Sequence, residues 1–303
     1  PCIVRIRKGT AASQFSATQV ETLNFSNLSK YVSENSFAIE KSALDDKGWS
    51  LVNKQSQNLL NKLRKAGIPL GEYVKGKIYR GITTGLNEAF VIDDMTRKQL
   101  ISEDSTSKEL LRPFLFGKDI KRYEPPKSNK YLIFVRRGVN IKNFSAIEKY
   151  LLTSKDRLMP RPKHYEGTNW KGRKPGAYKW YEIQDTTVYY LEFEKPKIML
   201  PDISLRGNFI FDSEGYYCVN TAYIIGNADK YLLGILNSQL VTFIYKGMAS
   251  TYRGGYLRFI QQYLEKIPIR PIDFNNPSEK AIHDKLVTLV DRMLELHKKK
   301  NSL

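Results

Sequence analysis

The chain has 303 residues, 41% hydrophobic and 26% charged, proportions that suit a folded globular body and exclude a disordered or collagen-like polypeptide. Its 49 Lys and Arg outnumber 31 Asp and Glu, and self-repulsion from a formal net charge of +18 calls for an anionic partner. Two cysteines cannot build a disulfide framework, and no apolar run approaches the ~18 residues of a membrane span. Neither an amphipathic basic helix nor a lipidation signal marks a membrane surface. The first residues lack the pattern of a secretory leader, so the expected location is cytoplasmic. The start at Pro1, without an initiator Met, is read as a fragment or a processed chain.

In chain order, Cys2-Ile-Val-Arg-Ile-Arg alternates like a strand, and a Ser/Thr/Asn-rich stretch of low apolar density follows, as in a connector. Trp49, Val52, Leu59, Leu60 and Leu63 fit a helix ended by Gly67 and Pro69. Ile78–Thr84 and Ala89–Ile92 predict two strands joined by a turn over Gly85 and Asn87. Tyr131–Val135 predicts a buried strand. Ser145 and Glu148 have the spacing of a capping box for a helix carrying Ile147, Leu151 and Leu158. Phe209–Phe211, the turn Asp212-Ser-Glu-Gly215 and the alternating Tyr217–Ile225 predict a hairpin. An apolar helix is expected from Asp229 to about Met248, with Leu232, Ile235, Leu236 and Leu240 inward. Asn276, Pro277 and Glu279 predict a capped start for a last helix, along which Ile282, Leu286, Leu289, Met293 and Leu296 form a heptad-like seam. The expected class is α+β: an irregular β-rich body flanked by helices, with a long C-terminal helix.

Catalytic chemistry is poorly represented. There is no glycine-rich phosphate loop and no Gly-x-Gly turn to hold a nucleotide cofactor, so no S-adenosylmethionine site is expected in this chain. The Pro-Pro of Glu124-Pro-Pro-Lys127 is not the Asn-Pro-Pro-aromatic motif that grips a flipped adenine. His164, His283 and His297 have no partner at metal-ligand spacing, and no metal site is expected. Pro201-Asp202 and Asp119-Ile-Lys121 resemble pieces of a restriction-nuclease signature, in the wrong order. No catalytic residue is assigned.

Binding chemistry is richer. Between Lys155 and Lys179 stand Lys155, Arg157, Arg161, Lys163, Lys171, Arg173, Lys174 and Lys179, opposed by Asp156 and Glu166 alone. His164, Tyr165, Trp170, Tyr178, Trp180 and Tyr181 are interleaved with them or adjacent. Cations neutralise a phosphate backbone, while planar groups and Arg forks meet base edges. Thr251-Tyr-Arg-Gly-Gly-Tyr-Leu-Arg258 is a second such cluster, in which two glycines permit close approach.

Several collinear segments together resemble the TaqI-like C-terminal specificity domain of type IIG restriction–modification enzymes, from about residue 45 to 272. They are Ile78–Ile92, Leu111–Tyr123, Lys179–Ile183, Lys197–Ile203, Leu233–Ser238 and Arg253–Phe259 with Ile267-Pro-Ile269. The resemblance implies sequence-specific recognition of double-stranded DNA. It also implies partners in the same parent protein, an upstream adenine methyltransferase using S-adenosylmethionine and a nuclease using magnesium, neither contained in this chain. Residues 1–45 would then be a connector or the end of the methyltransferase region, 46–272 the target-recognition domain and 273–303 the C-terminal helix. The residues expected at DNA are Arg80, Thr83, Thr84, Asn87, Lys118, Lys121, Arg161, Lys163, Trp170, Lys171, Arg173, Lys174, Tyr252 and Arg253. Two alternatives stay open: a metal-dependent nuclease or RNA-acting enzyme with an unrecognised site, and a half-subunit like those of type I specificity proteins, paired through its last helix.

Overall fold

A computed structural model of the chain describes residues 3–5, 8–9, 12–20, 22–44, 51, 54–249 and 253–300. Its centre is a partition wall. The strands Ile210–Asp212, Lys197–Pro201, Ala222–Ile225 and Ile78–Arg80 lie in that order in one antiparallel sheet. Successive side chains of a strand point to opposite faces, and here each face carries its own core. Met199, Ile210, Ala222 and Ile224 enter one hydrophobic cluster. Ile198, Leu200, Tyr223 and Ile225 enter the other. Lys197–Pro201 and Ala222–Ile225 are therefore buried at every position. The alternation legible in Tyr217–Ile225 divides residues between two cores, not between core and solvent.

The first core is completed by a second sheet, in the order Tyr217–Cys218, Leu111–Leu115, Lys130–Ile133 and Val91–Asp93. Its first pair is parallel and the others antiparallel. Leu100 of the helix Asp94–Glu103 and Ile147 and Leu151 of the helix Ser145–Leu152 pack into it. The second core is covered by the helices Lys230–Leu236, Gln239–Met248 and Pro277–Lys300. The fold is α+β, irregular and β-rich between helices, with a long C-terminal helix.

Several local expectations need correction. The turn after Asp212 forms, with the Asp212 carboxylate accepting from the amides of Glu214 and Tyr216, each at 2.9 Å. No hairpin follows, because Lys197–Pro201 already lies beside Ile210–Asp212 and Tyr217–Cys218 crosses to the other sheet. Ile78–Arg80 and Val91–Asp93 likewise belong to different sheets, separated by a short helix, Asn87–Phe90. Gly81 marks the crossing: a Cβ there would collide with the Val219 carbonyl. The capping box at Ser145 is absent, since its hydroxyl donates to Asp104 (3.0 Å) while Glu148 pairs with Lys142 (2.7 Å). Leu158 sits in a separate turn, Lys155–Leu158.

The helix expected from Asp229 to Met248 is two helices broken at Asn237. The Asn237 side chain accepts from the Phe209 amide (3.1 Å) and donates to the Phe209 carbonyl (2.9 Å), and the backbone turns extended at Ser238, which follows it. Ser238 caps the second helix through Val241 N, and Leu240 is exposed there while Val241, Ile244 and Tyr245 face inward. On the last helix Asn276 caps Ser278 N (3.0 Å), whereas Glu279 turns to Asp273 N (3.0 Å) and Arg270 (3.1 Å). The reciprocal half of that capping box is missing. The helix docks through Leu286 and Val290 onto Gly234, where a Cβ would approach Val290 to 2.9 Å. Ile282, Leu289, Met293 and Leu296 of the expected seam face away from the body and are exposed.

At the N-terminal end Gln14–Thr18 pairs with Ser36–Glu40 around the helix Leu28–Asn35. Of the strand expected at Cys2–Arg7, residues 3–5 carry no regular structure and the rest lie outside the described residues. Trp49 and Val52 also lie outside them, while the helix Lys54–Ala66 buries Leu60.

Candidate nucleic-acid interface

The basic stretch from Lys155 to Lys179 forms a loop whose organiser is Arg173. This side chain is buried, and its guanidinium donates to five backbone carbonyls: Leu158 (2.8 Å), Thr84 (2.9 Å), Glu182 (2.7 Å), Lys179 (3.2 Å) and Trp180 (2.9 Å). The planar fork also lies over the rings of Tyr178 and Phe90, at 4.4 and 5.4 Å from their centroids. Burial pulls its pKa down to about 10, which still leaves it cationic at neutral pH, with Tyr178 and Glu182 offsetting part of that cost. Arg137 holds the same segment from another side, through the carbonyls of Ile183, Gln184 (2.7 Å) and Asp185 (3.2 Å). Arg173 was expected at DNA; it is an internal strut, and its donors are taken by the chain itself.

Thr84 needs the same correction. It is buried, its hydroxyl donates to Asn87 Oδ1 (2.7 Å) and accepts from Leu86 N (3.1 Å), and its carbonyl receives Arg173. The neighbouring Gly85 has φ +84°, and a Cβ on it would lie 2.7 Å from Arg173 Cδ, so both conformation and space require glycine. Thr83 and Asn87 are half-buried on this turn. Trp170 is half-buried as well, donating to the Met159 carbonyl (3.3 Å) edge-on to Tyr165.

The other loop cations expected at DNA, Arg161, Lys163, Lys171 and Lys174, do present their charge to solvent, as do Lys155, Arg157 and Lys179. The strut thus joins an exposed basic rim to the 83–87 turn. From that turn the surface continues through Arg80, which is exposed and donates through Nε to the Asn220 carbonyl (2.7 Å). The adjoining Thr221 carbonyl accepts from Asp202 N (2.9 Å) and sits against Gly117, where a Cβ would be 2.6 Å away. Beyond Gly117 lie Lys118 and Lys121, both exposed. The two groups of expected residues are therefore linked through hydrogen bonds and short stretches of backbone. Tyr252 lies outside the described residues; Arg253 opens a short turn in which Gly254 and Gly255 have φ of 74° and 77°.

Lys118 and Lys121 stand on one wall of an open cleft of about 740 Å³, which also receives Arg122, Arg206, Tyr256 and Lys300. Sequence reasoning assigned none of these four to DNA: Arg122 lies in the 111–123 segment and Tyr256 in the 251–258 cluster, but nothing local shows that they converge with Arg206 and Lys300. Asp202 is on the wall too, its carboxyl pushed upward in pKa by burial against the pull of Arg258 and Arg80.

Among the described residues no group of three His, Cys, Asp or Glu side chains converges as a metal site. Gly81 and Gly117, beside the strands, pack on the chain's own carbonyls, which leaves no open turn there for a cofactor phosphate. No helix among the described residues is long and apolar enough to cross a membrane.

Residues 112–269 match the TaqI-like C-terminal specificity domain family. Among curated proteins, the chain is 25% identical over 229 residues to the Type II methyltransferase M.PaeR7I of Pseudomonas aeruginosa, covering 73% of this chain and 37% of the relative. It is 24% identical over 251 residues to the Type II methyltransferase M.BstVI of Geobacillus stearothermophilus, covering 80% and 42%. The chain thus spans about two-fifths of the length of these relatives. A solved structure, the Type IIL restriction-modification enzyme MmeI in complex with DNA, aligns with a TM-score of 0.46 at 15% identity, over 69% of this chain and 27% of that one.

Proposed function

The chain belongs to the TaqI-like C-terminal specificity domain family, and from that premise we propose that it is the target-recognition domain of a type IIG restriction–modification enzyme, reading duplex DNA. The observation that carries the proposal is the contact chain from the basic loop through the 83–87 turn to Lys118 and Lys121. It ties together the segments that carry these exposed cations, in a chain of net charge +18. We assign Arg80, Thr83, Asn87, Lys118, Lys121, Arg161, Lys163, Trp170, Lys171 and Lys174 to that surface, and Tyr252 and Arg253 as further DNA contacts, with residues 46–272 as the recognising body.

Within the larger protein the same reading places an adenine methyltransferase using S-adenosylmethionine and a nuclease using magnesium, acting in the cytoplasm, with residues 1–45 leading from the methyltransferase. This chain supplies orientation on the duplex and no reacting group. Selection of bound duplexes from a randomised pool tests the proposal. Enrichment of a discrete motif, with affinity falling steeply as salt rises, is the expected result; salt-independent binding or the absence of binding overturns it.

A second reading, a half-subunit that pairs through its last helix, draws support from the exposure of Ile282 (60%), Leu289 (50%) and Leu296 (52%) on one side of that helix. The molecular mass in solution decides it: a monomer at micromolar concentration removes this reading.

A further inference from the structure

We propose that the cleft between the 117–124 segment, the 201–208 segment and the last turn of Pro277–Lys300 is a second seat for the DNA sugar-phosphate backbone, apart from the loop that faces the bases. The inference rests on the reading of the chain as a duplex-binding domain and extends it from Lys118 and Lys121 to Arg122, Arg206 and Lys300, whose convergence the sequence does not reveal.

Three observations point to phosphate. The first is charge: Lys118, Lys121, Arg122, Arg206 and Lys300 line the cleft, and the carboxylates opposing them are Glu124 and Asp202. Folding brings Arg206 and Lys300 from distant positions to the Lys118–Arg122 segment, against their mutual repulsion, and phosphates relieve it. At about 740 Å³ the opening takes a stretch of backbone, far more than one tetrahedral anion needs.

The second is the type of side chain. Lys118, Lys121, Arg206 and Lys300 are exposed, long and jointed, which suits contact with phosphate at variable positions more than a fixed pattern of base edges. Arg122 is the fixed member: its Nη2 donates to the Asn237 carbonyl (2.5 Å) and its guanidinium lies 5.2 Å from the Tyr123 ring centroid. In the same walls Arg122 Nε and His297 Nδ1 are buried without a hydrogen-bond partner among the described residues, which marks a lining that favours a polar occupant.

The third is continuity. Thr221 and Gly117 border the cleft, and Thr221 follows Asn220, whose carbonyl receives Arg80 beside the 83–87 turn. A duplex held at the loop and the turn therefore has a charged path for its backbone into the cleft. The last turn of the terminal helix closes that path with Lys300, so the helix takes part in binding as well as in packing.

The test uses Arg206→Ala combined with Lys300→Ala in the full chain, titrated with a duplex of mixed sequence across a range of salt concentrations. Affinity is expected to fall by a similar factor on every duplex, and the log–log salt slope to shrink by about two. The motif enriched from a randomised pool should stay that of the parent. Arg206→Lys with Lys300→Arg, which retains both charges, should keep the parent slope and separates charge from any effect on folding. If the parent binds duplex and the double Ala variant keeps its affinity and slope, the cleft assignment fails while the DNA reading stands. If the parent binds no duplex, both fail. Calorimetry with inorganic phosphate alone adds a further arm: stoichiometric binding that the double Ala variant abolishes, with duplex affinity intact, makes the cleft a site for a free anion and overturns the assignment to backbone.

Discussion

The Arg173 guanidinium donates to the carbonyl of Thr84 at 2.9 Å, across 89 residues of chain. That contact ties the turn between the two sheets to the basic loop, and the other donors of the same fork close the loop on itself at Leu158, Lys179, Trp180 and Glu182. Loops are ordinarily the more mobile parts of a fold. Here a buried cation satisfies the Leu158, Glu182 and Trp180 carbonyls and adds a second donor to those of Thr84 and Lys179, which already accept the Gln184 and Glu182 amides, so the exposed residues on either side are held in a fixed relation.

Replacing Arg173 by Met removes a buried, charge-assisted network and strands the Leu158, Glu182 and Trp180 carbonyls. A loss of about 3–5 kcal/mol in urea-unfolding stability is expected, the range for breaking a buried ionic group. Arg173→Lys should recover only part, because three donors on one point charge cannot reproduce a planar fork of five. A loss under about 1 kcal/mol for the Met variant would show that the strut is dispensable.

The remaining basic residues of the loop are all exposed, and the type of side chain separates them. Lys163→Ala and Lys171→Ala should weaken binding about equally on all duplexes and lower the salt slope by roughly one each, as for lost phosphate contacts. Arg161, which is exposed, and Arg253 are assigned to bases; losing a base-reading Arg should cost about 1–3 kcal/mol on the preferred sequence and much less elsewhere. Randomised-pool selection with each Ala variant checks this. An unchanged motif from both Arg variants would make them phosphate ligands like their Lys neighbours.

Composition and local pattern carried the class of fold, the last helix and the collinear family segments, because each depends on residues near one another in the chain. They did not carry the partition of residues between two cores: Ala222–Ile225 looks the same whether its second face meets water or Ile198, Leu200 and helices. Arg173 shows the same limit on the side of function. In a run of eight cations nothing local marks the one that points inward, and only the fold reveals the carbonyls that claim it. The cleft was invisible for the converse reason, since its cations converge only after the 117–124, 201–208 and C-terminal segments have packed.

Asp202 makes a pH-dependent prediction. Burial raises its folded pKa above the ordinary value of 3.8, with Arg258 and Arg80 resisting. Below that ordinary value the group is protonated in both states and contributes nothing. As pH rises through the window up to the folded pKa, the unfolded chain ionises first, so stability falls, and the cost persists at higher pH. Asp202→Asn should therefore raise stability near neutrality and flatten the acid-side profile in thermal unfolding. The same change removes a negative charge from the basic cleft and should tighten duplex binding by about 1 kcal/mol or less, the scale of a unit charge a few ångströms away through water. Weaker binding by the Asn variant would place Asp202 in a contact that DNA needs.

Lys197 and Asp212 form an ion pair that is 0% exposed on both sides. The ammonium also donates to the Phe193 carbonyl, and the carboxylate receives the amides of Glu214 and Tyr216. Burial pulls the lysine pKa down while Asp212 holds it up, so each charge is tolerable only with the other present. The pair sits where the chain leaves the partition sheet and delivers Tyr217–Cys218 to the second sheet, ahead of the Asn220–Thr221 crossing that supports Arg80. Asp212→Ala or Lys197→Met alone should cost about 3–5 kcal/mol, since an uncompensated charge remains inside. The double substitution should cost clearly less than the sum of the two, because it removes both charges and leaves only the turn amides and the Phe193 carbonyl without these partners. Urea unfolding of the four proteins in the cycle measures that coupling, and additivity within about 0.5 kcal/mol would mean that the two charges are stabilised by the surrounding backbone and not by each other.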